Sequence, residues 1–317
     1  MMFFYRQQGR RQSMRKYLSL TKRNCLVFLR DRSAVFFSLL SMMIVLMLTG
    51  VFLGNMNVEN ITELLAQYGA ARNSALDREN ALHLVQYWTL AGIMIVNAVT
   101  VTLTAVGVMV HDASENRLDS FYTAPAGRNM LALSYVTSAA VIGTFFCLLT
   151  LGAALAYIRI TGGSLLSCGT LGQIMVYIFL NVCIYAVIMF LAALFVKSTS
   201  AWSGIATIAG TLVGFLGAVY IPMGSLPEGV TRILRYTPVL HGASLMRGVF
   251  CREALSTAFA GIPTAVTEQY KENMGITIKM PGGEAAVSFQ ILFLCICGIV
   301  ALAAAARLIR RRKSSDR

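Results

Sequence analysis

The residues best placed to do chemistry in this chain lie in one polar stretch, His111 to Arg128, which carries Asp112, Glu115, Arg117, Asp119 and Arg128 between two long apolar runs. Charges of this density are costly inside hydrocarbon, so the stretch belongs at a membrane face. Leu118, Phe121 and Tyr122 fall at i, i+3 and i+4, away from Glu115, Arg117 and Asp119, which is the pattern of a short amphipathic helix. Ser114 can cap such a helix, and Pro125 with Gly127 ends it. A helix with one apolar edge at a membrane surface either floats among headgroups or docks into a groove on a soluble partner. An ordinary polar loop has the same composition. The chemistry on offer is recognition.

Other polar groups are mild. Asn97, Thr100 and Thr104 share one face of the second apolar run, where they line a pathway or bond neighbouring helices. The fifth run holds Thr207 and Thr211 among glycines, and its Gly210-x-x-x-Gly214 spacing lets another helix approach closely or reflects simple tolerance of glycine. Of seven cysteines, Cys147, Cys183, Cys295 and Cys297 lie in apolar runs and read as core hydrophobes, with no metal-ligand spacing. Cys168 and Cys251 fall on the outer side of the expected topology and can pair. No phosphate-binding Gly-rich loop ending in Lys-Ser/Thr, His-Glu-x-x-His helix or Gly-x-Ser-x-Gly elbow is present. The apolar runs are nearly free of ionisable side chains. That argues against an ion-coupled secondary transporter and against a membrane-embedded hydrolase. If the protein moves something, the energy arrives from outside the chain. A scaffold or sensor subunit is the non-transport alternative.

The elements that must position these residues follow from composition. Of 317 residues 56% are hydrophobic and 13% charged, against about a quarter charged in a soluble domain. The apolar runs are continuous rather than alternating, so the spans are helical. The net charge of +13 is concentrated before the first run and after the last, which is a membrane flank rather than a nucleic-acid surface. By the positive-inside rule both termini are cytoplasmic, and the number of spans is even. The expected fold is an all-α polytopic membrane protein with six spans, at about 34–53, 87–110, 130–158, 171–196, 201–220 and 286–306. Residues 1–32 form a basic segment, loosely ordered over 1–13 and then, from Met14 to Arg32, either an amphipathic interfacial helix or a plain basic flank. The membrane domain covers 33–306, and 307–317 is a basic tail. Residues 55–85 are an outer segment with a short helix near Val58 to Tyr68, and Tyr87 and Trp88 sit at the level of an outer aromatic belt. In the outer region 221–285, Val230 to Tyr236 and Val239 to Phe250 read as two helices too short to cross a core about 30 Å thick, hence a re-entrant hairpin between spans five and six.

Together these features resemble the ABC-2 family of ABC transporter permeases, over almost the whole chain. Glu115-Asn-Arg117-Leu118, Phe121-Tyr122, Pro125 and Arg128 are similar to that family's first cytoplasmic loop. Pro222, Leu226-Pro227-Glu228, Pro238 and Arg247 are similar to its outer hairpin. The resemblance implies that Met14 to Arg32 is a connecting helix and that Glu115 to Tyr122 is a coupling helix seated in a separate ATPase subunit. It implies two permease chains, alike or different, and two ATPases in the lipid bilayer of the cell inner or plasma membrane. The pathway then lies at the permease dimer interface, lined by spans one, two and five. The resemblance also implies no catalysis and no cofactor in this chain, with ATP and Mg bound by the partner ATPase, and outward transport by alternating access. The long outer segments 55–85 and 251–285 lean towards the drug or peptide exporter branch, and an apolar pathway suits an amphipathic or hydrophobic cargo, drug, peptide or lipid-like.

Overall fold

The computed structural model describes residues 2–48, 54–68, 73–118, 127–160 and 166–315. Twelve α-helices are labelled here, in chain order: α1 Met2–Arg30, α2 Arg32–Leu48, α3 Gly54–Ala66, α4 Ser74–Ser114, α5 Arg128–Ile160, α6 Cys168–Ala193, α7 Thr199–Leu216, α8 Glu228–Leu234, α9 Pro238–Phe250, α10 Arg252–Ala258, α11 Thr264–Asn273 and α12 Val287–Ser315. A two-stranded antiparallel ribbon, β1 Lys279–Met280 and β2 Gly283–Glu284, precedes α12. Among the described residues α4, α5, α6, α7 and α12 are long and apolar enough to cross a membrane. α2 is a further apolar helix of 17 residues, and residues 49–53 of the expected first span lie outside the described residues. The chain is an all-α polytopic membrane protein, with the small ribbon as the one departure among the described residues.

α4 is the element the others pack on. Its most apolar 18-residue window is 83% buried, against 17% for α7. α5, α6, α7, α9 and α3 all contact it. One apolar cluster gathers around its first half, with α6, α9 and α10, and a second around its last turns, with α1, α5 and α7. Sequence reasoning starts this span at residue 87, yet the helix begins at Ser74. Asn73 caps it, its side chain accepting from the N–H groups of Ala75 (3.1 Å) and Leu76 (3.4 Å). An acid in the first turn, Asp77, complements the helix dipole. The polar run Asp77-Arg78-Glu79-Asn80 reads as loop by hydropathy and as the first turns of a helix by capping chemistry. Trp88 and Tyr87 are also corrected: they are 1% and 3% exposed, inside the bundle rather than in a belt.

The N-terminal segment is helical from Met2, where a loosely ordered start was expected. Arg, Gln and Met are good helix formers, and the segment lacks Pro. Along α1, Tyr17, Thr21, Asn24 and Phe28 turn inward, whereas Met14, Leu18 and Leu29 are exposed. Asp31 separates α1 from α2: its N–H closes α1 on Val27 and Phe28, and its carboxylate accepts from Ala34 N at 3.0 Å to cap α2. Span five ends at Leu216 rather than Tyr220, because the Gly214 carbonyl accepts from both Val219 N (2.7 Å) and Tyr220 N (3.3 Å) and closes the helix early. The two short helices of the hairpin are present as α8 and α9. Thr237 caps α9 on Leu240 N, and Pro238 occupies its first turn. Cys168 is exposed and Cys251 buried, and both are free thiols, so the pairing left open by sequence does not form.

Candidate functional site

The polar stretch after α4 is organised by one carboxylate. Asp112 is fully buried, two residues beyond Val110, where the apolar run ends. Arg23 of α1 grips it with both guanidinium nitrogens: Nη2 donates to Oδ1 at 2.8 Å, and Nη1 pairs with Oδ2. The Tyr135 hydroxyl of α5 donates to Oδ2 at 2.6 Å. Arg117, in the loop itself, sits 3.8 Å from Oδ1 and pairs with Glu115, which in turn lies 3.2 Å from His111 Nε2. The Asp112 hydrogen bond pushes the Arg23 guanidinium further up from its already high ordinary value, outweighing partial burial, so this end of the pair stays charged. Burying a carboxylate is costly unless it is paired and its lone pairs are satisfied, and here three hydrogen bonds from α1 and α5 satisfy it, with the Arg117 charge nearby. Asn24 Nδ2 donates to Ser134 Oγ at 3.2 Å, and the Tyr17 and Thr137 hydroxyls meet at 2.5 Å, extending the α1–α5 seam.

Of the loop residues singled out by sequence, the structure brings Glu115 and Arg117 into this cluster and leaves Leu118 partly buried against the inner apolar cluster. Phe121, Tyr122 and Pro125 lie outside the described residues. Arg128 opens α5 after Gly127, whose φ is +73°. Ser114 is the last residue of α4 and its hydroxyl donates back to His111 O at 2.9 Å; the chain leaves through Asn116 at φ +58°, a conformation Asn tolerates. Sequence reasoning missed Arg23, Tyr135 and Asn24 as site residues. For Arg23 and Asn24 the available signal was their type, polar groups on the face that α1 turns to the bundle; Tyr135, on α5, gave none.

The pathway candidates divide. Asn97 is buried and donates to Thr150 of α5 at 2.8 Å, which is the helix-bonding alternative. From Tyr87 to Val110 every residue of α4 is buried except Thr100, Thr104 and Gly107, a half-buried line at i, i+4 and i+7. A Cβ on Gly107 would meet Trp202 Nε1 of α7 at 2.9 Å, so this line borders α7. On α7, Ser203, Thr207 and Thr211 form an exposed hydroxyl stripe, each bonded to the carbonyl four residues earlier. Gly210 meets nothing within 4 Å, whereas Gly214 receives the Tyr220 ring. The Gly-x-x-x-Gly pair is therefore split between an open face and an internal contact.

At the far end of the bundle the organising residue is Arg247, completely buried on α9. Its Nη2 donates to Ala218 O at 2.7 Å and its Nη1 to Gly275 O at 3.4 Å, and its Cζ stands 4.6 Å from the centre of the Trp88 ring. Trp88 Nε1 donates to Met274 O at 2.7 Å. Among the described residues no carboxylate pairs with Arg247; carbonyl dipoles and a ring face hold the cation. Both carbonyls come from residues with positive φ, Ala218 at +49° and Gly275 at +63°, so the side chain ties down two tight turns. The other hairpin residues serve the backbone: Pro222 precedes a 3-10 turn, Leu226 follows it, Pro227 precedes α8, Glu228 pairs with Arg232 at 3.1 Å on the surface, and Pro238 O accepts from Tyr185 at 3.0 Å.

α9 is wedged between α4, α6 and α12, and a glycine permits it. A Cβ at Gly242 would collide with Asn181 Oδ1 and meet Ile95 Cδ1 and Tyr185 Oη at 3.2 Å. Gly242→Ala is expected to destabilise by about 1–3 kcal/mol, the cost of overpacking. Gly248→Ala in the same helix meets nothing within 4 Å and is expected to stabilise by up to about 1 kcal/mol. Thermal unfolding midpoints of the two purified variants check this; a shift of the same sign in both would refute the wedge.

Two comparisons bear on what this arrangement is for. A family model described as ABC-2 type transporter matches residues 15–251. That segment contains the Asp112 cluster, the α4 and α7 faces and Arg247, and stops before α10. A search of curated proteins finds no match.

Proposed function

We infer the working role of this chain from one premise: it belongs to the ABC-2 type transporter family and is a membrane-spanning permease subunit of an ABC transporter. Permeases of that family generally partner with an ABC ATPase. Our reading is that residues 111–128 are the seat of that ATPase and that two permease chains and two ATPases form the working unit. ATP and Mg are held by the partner. Closure of the ATPases carries the two loops together, and the permeases, moving as rigid bodies, close on the cytoplasmic side and open outward. The cargo is amphipathic or hydrophobic, drug, peptide or lipid-like, and leaves along the dimer interface. Six spans with both termini cytoplasmic, in the cell's inner or plasma membrane, complete the reading.

The observation that carries it is the Asp112 cluster. Arg117 belongs to the loop, Arg23 to α1 and Tyr135 to α5, and all three converge on one buried carboxylate at the end of α4. A push on the loop therefore reaches three helices at once. The pathway reading is supported by α7, whose stripe of Thr207 and Thr211 is exposed among the described residues, on a helix that meets the half-buried line of Thr100, Thr104 and Gly107 through Trp202. The test is co-purification with an ABC ATPase, sought among the genes neighbouring this one, followed by ATPase and vesicle-transport assays. Phe121→Asp places a charge on the apolar edge of the loop and is expected to lower co-elution or transport-coupled ATPase activity at least tenfold. Wild-type coupling in that variant would remove the loop from the interface. Export of small hydrophilic solutes alone would overturn the cargo assignment.

A further inference from the structure

Residues 252–285 lie beyond the family match, and they fold into a wall. α10, α11 and Glu284 of the ribbon, together with α9 and the first turn of α12, line a half-open cavity of about 600 Å³ that reaches Tyr177 of α6. That size suits a small-molecule ligand, for which pockets run about 300–1,000 Å³. Leu245, Val249, Leu255 and Phe259 supply apolar lining.

The polar lining is unbalanced. Arg252 and Lys271 both face the cavity, with Glu284 as the one acid. Neither cation has an ion-pair partner among the described residues, Glu284 included. Gln290, 4% exposed, also lines the cavity. Its Nε2 donates to Ala285 O at 2.9 Å while its buried Oε1 accepts from nothing. The floor carries a second sign of use. Gly248 sits inside α9 with no atom within 4 Å of where a Cβ would be, although Ala there would favour the helix by about 1 kcal/mol. Neither backbone angle nor close packing requires this glycine. What its absent side chain preserves is volume.

We propose that this cavity binds an amphiphile with one anionic head, phosphate or carboxylate, and an apolar tail. The head sits between Arg252 and Lys271, and the tail runs along Leu245, Val249 and Phe259 past Gly248. The unfilled acceptor at Gln290 favours a head that also carries a hydroxyl. Two sources share this chemistry: an anionic glycerophospholipid of the membrane, and a cargo molecule arriving at this end of the bundle. Occupancy requires neither ATP nor the ATPase, so its failure would leave the permease reading intact.

The experiment uses the full chain purified in digitonin, with radiolabelled dodecyl phosphate as probe in equilibrium dialysis. Saturable binding near one per chain is expected, weakened at least tenfold in Arg252→Glu/Lys271→Glu and in Gly248→Leu. It should be unchanged in Lys279→Glu, which removes a cation outside the cavity. Unfolding midpoints close to wild type show that the variants are folded. Equal binding by wild type and the double variant overturns the proposal, as does full displacement by neutral dodecyl glucoside. Lipid extracted from the same preparations assigns the source. An anionic phospholipid retained by wild type and lost from the double variant marks a resident lipid, whereas dodecyl phosphate binding with no retained lipid marks a cargo-side ligand.

Discussion

Asp112→Asn should detach the N-terminal helix from the bundle. The amide keeps the shape of the carboxylate but removes its charge, leaving Arg23 and Arg117 facing each other across a neutral group. Breaking a buried pair from one side costs about 3–5 kcal/mol, and because Arg23 retains 28% of its surface in water the low end applies. The lost stability should fall mostly on the α1–α5 seam, because Tyr17, Asn24 and Phe28 dock along the same face of α1 that carries Arg23. Limited trypsin digestion should therefore cut at Lys22 or Arg23 at least tenfold faster in the variant. A cycle adds a sharper test. Arg23→Met with Asp112→Leu replaces both charges by apolar groups and should recover part of the loss, because neither partner is left buried alone. If the double variant is worse than the sum of the singles, the pair is not the joint.

Arg247→Lys is expected to be as damaging as Arg247→Met, contrary to the usual ranking of conservative changes. Arg247 acts through shape: a flat fork that reaches Ala218 O and Gly275 O while stacking on Trp88. An ammonium cannot do all three, and it retains a charge in a site with no acid. Met abandons the charge but orphans two buried carbonyls, each worth roughly 1–3 kcal/mol. Either change should cost on the order of 3 kcal/mol and sharply lower the yield of monodisperse protein in detergent. In a Trp202→Phe background Trp88 is the remaining tryptophan of the two, so its emission reports the site directly. Wild-type stability and emission in Arg247→Lys would mean that the carbonyl ties carry little.

The parts of this fold that hydropathy reveals are those where one physical effect acts alone. The runs expected at 130–158 and 171–196 correspond to α5 at Arg128–Ile160 and α6 at Cys168–Ala193, because continuous apolar sequence between polar flanks has one outcome in a membrane. The hairpin was legible through Pro227, Thr237 and Pro238, which punctuate whatever surrounds them. What hydropathy hides is anything set by a partner distant in sequence. Nothing near Asp112 announces Arg23, 89 residues earlier, or Tyr135. Trp88 looked interfacial because tryptophan often is, and only the fold places Arg247 over its ring. The helices α10 and α11, within the outer segment 251–285, went unread because short polar helices owe their existence to the wall they join. Of the candidate site, Glu115, Arg117 and Arg247 were legible as positions, while the contacts that give them a role were not.

One consequence of α4 remains. At 41 residues it is about 62 Å long, with Asp112 near one end and Trp88, beneath Arg247, towards the other. It is packed on nearly every side through its middle, so it has no room to bend there and acts as a lever. A tilt of roughly 3° about its centre moves Asp112, about 27 Å away, by about 1.4 Å and Trp88, about 9 Å away, by about 0.5 Å, the latter comparable to the useful range of a hydrogen bond, about 0.5 Å. A nudge at the loop thus has mechanical advantage over the turns at Ala218 and Gly275. The price of that leverage is backlash: any slack at Asp112 reappears at the opposite end, so a conservative substitution at the inner joint should loosen the outer hairpin without touching it.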